Sequence, residues 1–238
     1  MRDYLLFQLY GPMSSWGRIA VGESRHSDSY PSKSAVMGII GAALGIRRTE
    51  DDKHRELFAS YAFGVKVISP GTMLQDYHTT QAPPAQSKVQ YFSRYEELRN
   101  AKQGTVLSQR EYRCDAQSIA ALWTVGDDPP YSLETLAEAL KYPKFTLYLG
   151  RKSCPPALPL QPLLMENTES LKAALDSYEK TEDMAVPKNI SAHYCWEKSD
   201  EPGMDIHQQI HRHDNCISRI RWQFAERKEN LFLQGKGE

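Results

Sequence analysis

The sequence has no C-x-x-C pair, no Walker or dinucleotide fingerprint, and no apolar run long enough to cross a bilayer. Its four cysteines, Cys114, Cys154, Cys195 and Cys216, lie 40, 41 and 21 residues apart, so no spacing supports a disulfide framework. The longest apolar stretch, 35–46, has the length of a buried helix. Gly38, Gly41 and Gly45 fall inside it rather than ahead of it, which excludes a phosphate-cradling loop. The formal net charge of −1 excludes bulk attraction to a polyanion and confines any nucleic-acid contact to local patches. Met1-Arg-Asp-Tyr runs straight into a strand pattern, so no secretory leader is expected. The cysteines then read as buried hydrophobes in a reducing, cytoplasmic setting.

What is present is a chain of 238 residues, 40% hydrophobic and 25% charged, large enough for a substantial core. Residues 4–9 read as a central strand stopped by Gly11 and Pro12. A polar loop, 11–32, follows, then a helix from Lys33 to Leu44 with Ser32 or Ser34 as N-cap and Gly45 as its stop. The glycines of that helix share a face and predict backbone-close packing on a sheet. Strands are expected at 61–68, 118–125 and 145–149, with a helix capped by Ser132 that turns Leu133, Leu136, Ala137 and Leu140 inward. Between the first two of these strands, residues 71–115 form a polar arm with six basic and three acidic side chains from Gln81 to Arg113. The order strand, helix, strand, arm, strand, helix, strand is the split βαβ arrangement of a ferredoxin-like α+β domain. It predicts a first domain over 1–155 and a smaller, partly irregular subdomain over 156–238. In that second part a short helix is expected near 170–177, and 176–205 reads as an acidic surface excursion. Residues 219–225 and 227–233 read as paired strands or a terminal edge.

The segments GPMSSWG (11–17) and YPSKSAVMGIIGAALGI (30–46), after the opening strand, resemble the CasD family of the type I-E CRISPR surveillance complex, Cascade. The stretches DYHT (76–79), REYRCD (110–115), ALW (121–123) and YLGRKSCP (148–155) agree with it in order, and QFAERKE (223–229) matches more weakly. The resemblance implies a RAMP-superfamily protein with a ferredoxin-like (RRM-like) domain and a long β-hairpin thumb. It implies a non-catalytic subunit that binds the 5′ handle of the crRNA and caps the backbone filament. Its implied neighbours are the backbone subunit and the large PAM-reading subunit, with target DNA met through the assembled complex. No cofactor, metal or membrane is implied.

Holding an RNA handle requires phosphate donors and surfaces for splayed bases. The helix start offers Ser32, Lys33 and Ser34, whose amides, hydroxyls and ammonium suit an anion, although Ser32 also suits an ordinary N-cap. Trp16 can stack a base or pack the loop, and Arg18, Arg25 and His26 supply positive potential beside it. On the arm, His78, Lys88, Arg94, Arg110 and Tyr112 combine cations with aromatic planes, the mix of a single-strand surface. Arg151 and Lys152 follow Gly150, which permits close backbone approach.

Three alternatives stand beside this reading. His207, His211, His213 and Cys216, with His193 or Cys195, are metal-ligand types at a spacing that matches no common zinc module. Tyr30, Lys33, His26, Tyr77 and His78 are chemically competent for metal-independent cleavage of repeat RNA. A structural assembly subunit that reads no RNA is the third.

Overall fold

Apolar side chains at successive positions mark a strand covered on both faces, and they form β1 (Arg2–Tyr10), buried from Tyr4 to Leu9. The computed structural model describes residues 1–20, 22–83, 89–100, 103–179, 192–197 and 199–234. Four two-residue strands follow β1: β2 (Met13–Ser14), β3 (Trp16–Gly17), β4 (Ser24–Arg25) and β5 (Ser27–Asp28). Helices α1 (Lys33–Leu44) and α2 (Asp51–Ser60) lead into β6 (Tyr61–Ser69). The arm is β7 (Thr72–Ala82), α3 (Arg94–Asn100) and β8 (Gly104–Cys114). Then come β9 (Gln117–Thr124), α4 (Leu133–Lys141), β10 (Leu163–Thr168), α5 (Leu171–Ser177), β11 (His193–Trp196), β12 (Gln208–Ser218) and β13 (Gln223–Leu233).

The main sheet has the order β10-β1-β9-β6-β11-β13-β12 and is antiparallel throughout. Its first four strands have the ferredoxin-like order, and the fold is α+β. Because side chains alternate across a strand, Leu5, Phe7 and Leu9 face α1 and α4, while Tyr4 and Leu6 face α5 on the other side. Helix α1 begins and ends where its sequence signals lie: Ser32 Oγ accepts the Ala35 amide at 3.2 Å, and Gly45 closes it at φ 79°.

Four sequence expectations change. Residues 145–149 are not a strand, and β10 occupies the edge beside β1, pairing Leu5 with Leu164. The reason is competition for backbone partners. The amides of Lys144 and Phe145 bond the carbonyls of Ala43 and Ala42 at the end of α1, and Leu149 is clasped between the Ser15 amide and the Cys154 carbonyl. The sheet therefore runs on past residue 155. Within the expected excursion lies β11, a central strand whose Tyr194, Cys195 and Trp196 are fully buried; residues 180–191 and 198 of that stretch are outside the described set. Strand β13 pairs with the histidine-bearing β12 rather than folding on itself at residue 226. Finally, the glycine face of α1 does not meet the sheet: a Cβ on Gly38 would touch the Arg219 guanidinium, and one on Gly41 the His54 ring.

Candidate nucleic-acid interface

The start of α1 is built as an internal anion site. Its amide donor, the Lys33 N–H, is taken by Asp214 of β12 at 2.8 Å, so a carboxylate of the same chain sits where a phosphate was expected. The Lys33 side chain, 1% exposed, pairs with Glu197 and donates to the Phe58 carbonyl at 3.1 Å. Arg227 binds Asp214 at 2.6 and 3.0 Å and Glu229 at 2.5 Å, and Arg212 reaches Asp28 at 2.8 Å. Tyr30 donates to Glu229 at 2.8 Å, with the Arg212 guanidinium 4.6 Å from its ring centroid. Burial drives the Tyr30 phenol far above its usual range and raises the neighbouring Cys195 thiol to about 12. The expected phosphate donors Ser32 and Lys33 are thus closed in. Ser32 Oγ also shares a 3.0 Å hydrogen bond with Ser34 Oγ. Sequence gave no signal for this, since Tyr30 and Glu229 are 199 residues apart.

The root of the arm is arranged the other way. Residues 72–82 and 104–114 pair in continuous register, which places Leu74, Asp76 and His78 on one face with Tyr112, Arg110 and Ser108. Three sequence-predicted residues, His78, Arg110 and Tyr112, therefore share that face. The polar loop 11–32 braces the root: β2 pairs with Arg113 and Cys114, and β4 lies parallel beside Gln109 and Arg110. Glu111, from the opposite face of β8, accepts the Ser27 amide at 3.0 Å and bonds the His26 ring at 2.8 Å; both contacts hold its carboxyl below the ordinary range. Gly150, at φ 88°, lies so close to the Ser15 carbonyl that a Cβ would fall upon it. That approach delivers Arg151 onto Tyr112, guanidinium carbon 4.9 Å from the ring centroid, with Nη2 donating to the Arg25 carbonyl at 3.2 Å. Its Nη1 is buried, with no hydrogen-bond partner among the described residues. The guanidinium is thereby fixed, half-buried, at the root of the arm, with the exposed Lys152 next to it.

Residues 4–229 match the family model described as "CRISPR-associated protein (Cas_Cas5)". The chain belongs to this Cas5 family. The CRISPR system Cascade subunit CasD of Escherichia coli (strain K12) is 30% identical over 223 residues, covering 88% of this chain and 93% of that protein. A structure titled "CRISPR RNA-guided surveillance complex" superimposes with TM-score 0.66 at 23% identity, over 97% of this chain and 90% of the other. A "Crystal structure of Cas protein" gives TM-score 0.58 at 24% identity, over 98% and 95%. The family match and the likeness to CasD over most of both chains make the chain a CasD-like member of the Cas5 family.

The remaining candidates in this Cas5-family chain scatter. Trp16 is 2% exposed and packs in the core, its amide bound to Ser27 Oγ at 2.9 Å. Arg18 is exposed and pairs with Asp28 at 3.1 Å, and Lys152 is exposed beside Arg151. Arg94 stands on α3 at the arm tip, paired with Glu97 at 2.5 Å, and Lys88 lies outside the described residues. His211 and His213 both meet Glu226 on the exposed face of β12 and β13. Among the described residues no group of His, Cys, Asp or Glu is arranged to hold a metal. No described helix is long and apolar enough to cross a membrane.

Proposed function

We propose that this chain holds the 5′ handle of a crRNA at the root of its thumb and caps the end of a backbone filament. The observation that carries the reading is Arg151, held half-buried on Tyr112 at the root and, among the described residues, without an ion pair of its own. Arg110 and His78 lie along the face that Tyr112 shares, and Lys152 and Arg18 add exposed charge. Handle phosphates lie along these cations, and bases stack on aromatic planes of the arm. The thumb reaches toward the adjoining backbone subunit, and the large PAM-reading subunit is the second neighbour, so target DNA is met through the complex.

The ribonuclease alternative finds no support in the geometry. Tyr30 and Lys33 are closed into the ionic network, His26 is bound to Glu111, and Tyr77 and His78 stand on opposite faces of β7. The direct test compares handle RNA with a scrambled oligonucleotide on the assembled complex, with and without Arg151→Ala plus Lys152→Ala. Preference for the handle, lost in the double variant, is expected. Equal affinity for both RNAs, unaffected by the substitutions, would remove the proposal.

A further inference from the structure

The turn joining β12 to β13 carries charge and aromatic surface that the thumb root does not use. Register fixes its place: Leu233 is level with His193 and Val67, and Asn230 with Trp196 and Gly64. Strand β13 therefore begins beyond the start of β6, at the opposite end of the sheet from the thumb, which leaves β6 after Ser69. Asp51, at the start of α2, accepts the amides of Arg219 and Ile220 at 2.7 and 3.1 Å and the Ser218 hydroxyl at 2.6 Å, which pins the turn. Trp222 has φ 57°, a left-handed conformation uncommon for a bulky residue, and its indole is 59% exposed.

Guanidiniums frame that indole. The Arg48 and Arg219 carbons lie 5.1 and 5.5 Å from its ring centroid. Arg48 Nε donates to the Arg219 carbonyl at 3.0 Å, and Arg219 Nη2 to the Ser34 carbonyl at 2.9 Å, with its Nε buried and unpartnered. Arg47 and Arg221 add exposed cations to either side. Among the described residues none of these four arginines forms an ion pair, because the nearby carboxylates are engaged: Asp51 by the turn, Glu50 by Lys53 and the Arg47 amide, Asp52 by Arg55. An exposed aromatic plane among cations that form no ion pair has the chemistry of a surface for single-stranded nucleic acid.

We infer that the β12–β13 turn is a second binding site of this chain, taking a single-stranded nucleic-acid segment with one base stacked on Trp222 and adjoining phosphates on Arg48 and Arg221. It stands independently of handle binding at the thumb. Trp16, Trp123 and Trp196 are at most 2% exposed, so Trp222 alone reports on additives in solution. Titrating the full chain with oligouridylate and with oligothymidylate is expected to quench tryptophan fluorescence saturably; the tighter of the two identifies RNA or DNA as the occupant. Arg221→Glu, at an exposed position, should weaken that association about tenfold, and Trp222→Ala should do the same for a labelled oligonucleotide read by anisotropy. Arg151→Ala should leave the quenching intact, which separates this site from the thumb. Absence of quenching, or quenching unchanged by Arg221→Glu, would overturn the inference. So would protection of Trp222 from acrylamide only when partner subunits, and no oligonucleotide, are bound, since that assigns the turn to protein docking.

Discussion

Two basic clusters of this chain meet opposite fates. At the start of α1, the cations Lys33, Arg212 and Arg227 are enclosed with Asp28, Asp214, Glu197 and Glu229, three positive groups against four negative. At the thumb root, Arg151 is stacked on Tyr112 with no ion pair among the described residues, and Lys152 faces solvent. What separates them is the acid supply: β12 and β13 bring carboxylates to the first cluster, while at the root Glu111 is occupied by Ser27 and His26. A lysine at a helix start is thus no more an external anion site than the chain's own carboxylates allow.

The contrast can be broken most forcefully inside the first cluster. Glu229→Ala leaves the buried Tyr30 hydroxyl without its acceptor and Arg227 with Asp214 as its remaining hydrogen-bonded carboxylate, and should cost about 2–4 kcal/mol of stability, measured by urea unfolding; a loss below about 1 kcal/mol would mean the network is solvated. Gly150→Ala should cost about 1–3 kcal/mol, because the residue must keep a left-handed conformation against the Ser15 carbonyl. It should also lower handle affinity by displacing Arg151, whereas unchanged affinity would show that Arg151 is not positioned by this turn. Arg151→Ala reverses the balance: stability should fall by less than about 1 kcal/mol, the worth of its stack on Tyr112, while handle affinity drops about tenfold or more.

A gentler probe is pH. Burial holds His54 and His193 below the ordinary histidine value. The unfolded chain binds those protons near pH 6.5 and the folded chain only at lower pH, so stability is complete above about pH 6.5 and declines as pH falls below it. His54→Gln should flatten part of that decline in unfolding curves taken at pH 7.5 and 5.5, and an unaltered slope would locate the sensitivity elsewhere. Arg94→Ala, at the arm tip, should change stability by less than about 0.5 kcal/mol, since it removes only exposed contacts, to the Glu97 carboxylate and the Gln81 carbonyl.

Local chemistry made much of the fold legible. The Ser32 and Ser132 caps, the Gly45 stop and the inward Leu133, Leu136 and Leu140 lie where the pattern put them. The arm was readable because its strands alternate without an apolar face. Residues 145–149 misled because their alternation is real, but Phe145 and Tyr148 are exposed at 43% and 37% and the backbone serves α1 instead. Strand β11 escaped notice because it has four residues amid acidic, polar sequence. At the site, Arg151 could be found from a glycine beside a strand-like end. The burial of Lys33 could not, since its amide partner Asp214 lies 181 residues away and pairing over that distance leaves no periodic trace.

The ionic network also bears on the order in which the protein can be made. A ribosome releases the α1 segment long before residues 197, 214 and 229, yet the carboxylates that meet Lys33 and Tyr30 stand at those late positions. Until they emerge, closing the first helix over the sheet would enclose an ammonium without its counter-ion, at a cost of several kcal/mol. The nascent amino-terminal half therefore waits, and its first helix is sealed only when the carboxyl-terminal segments arrive.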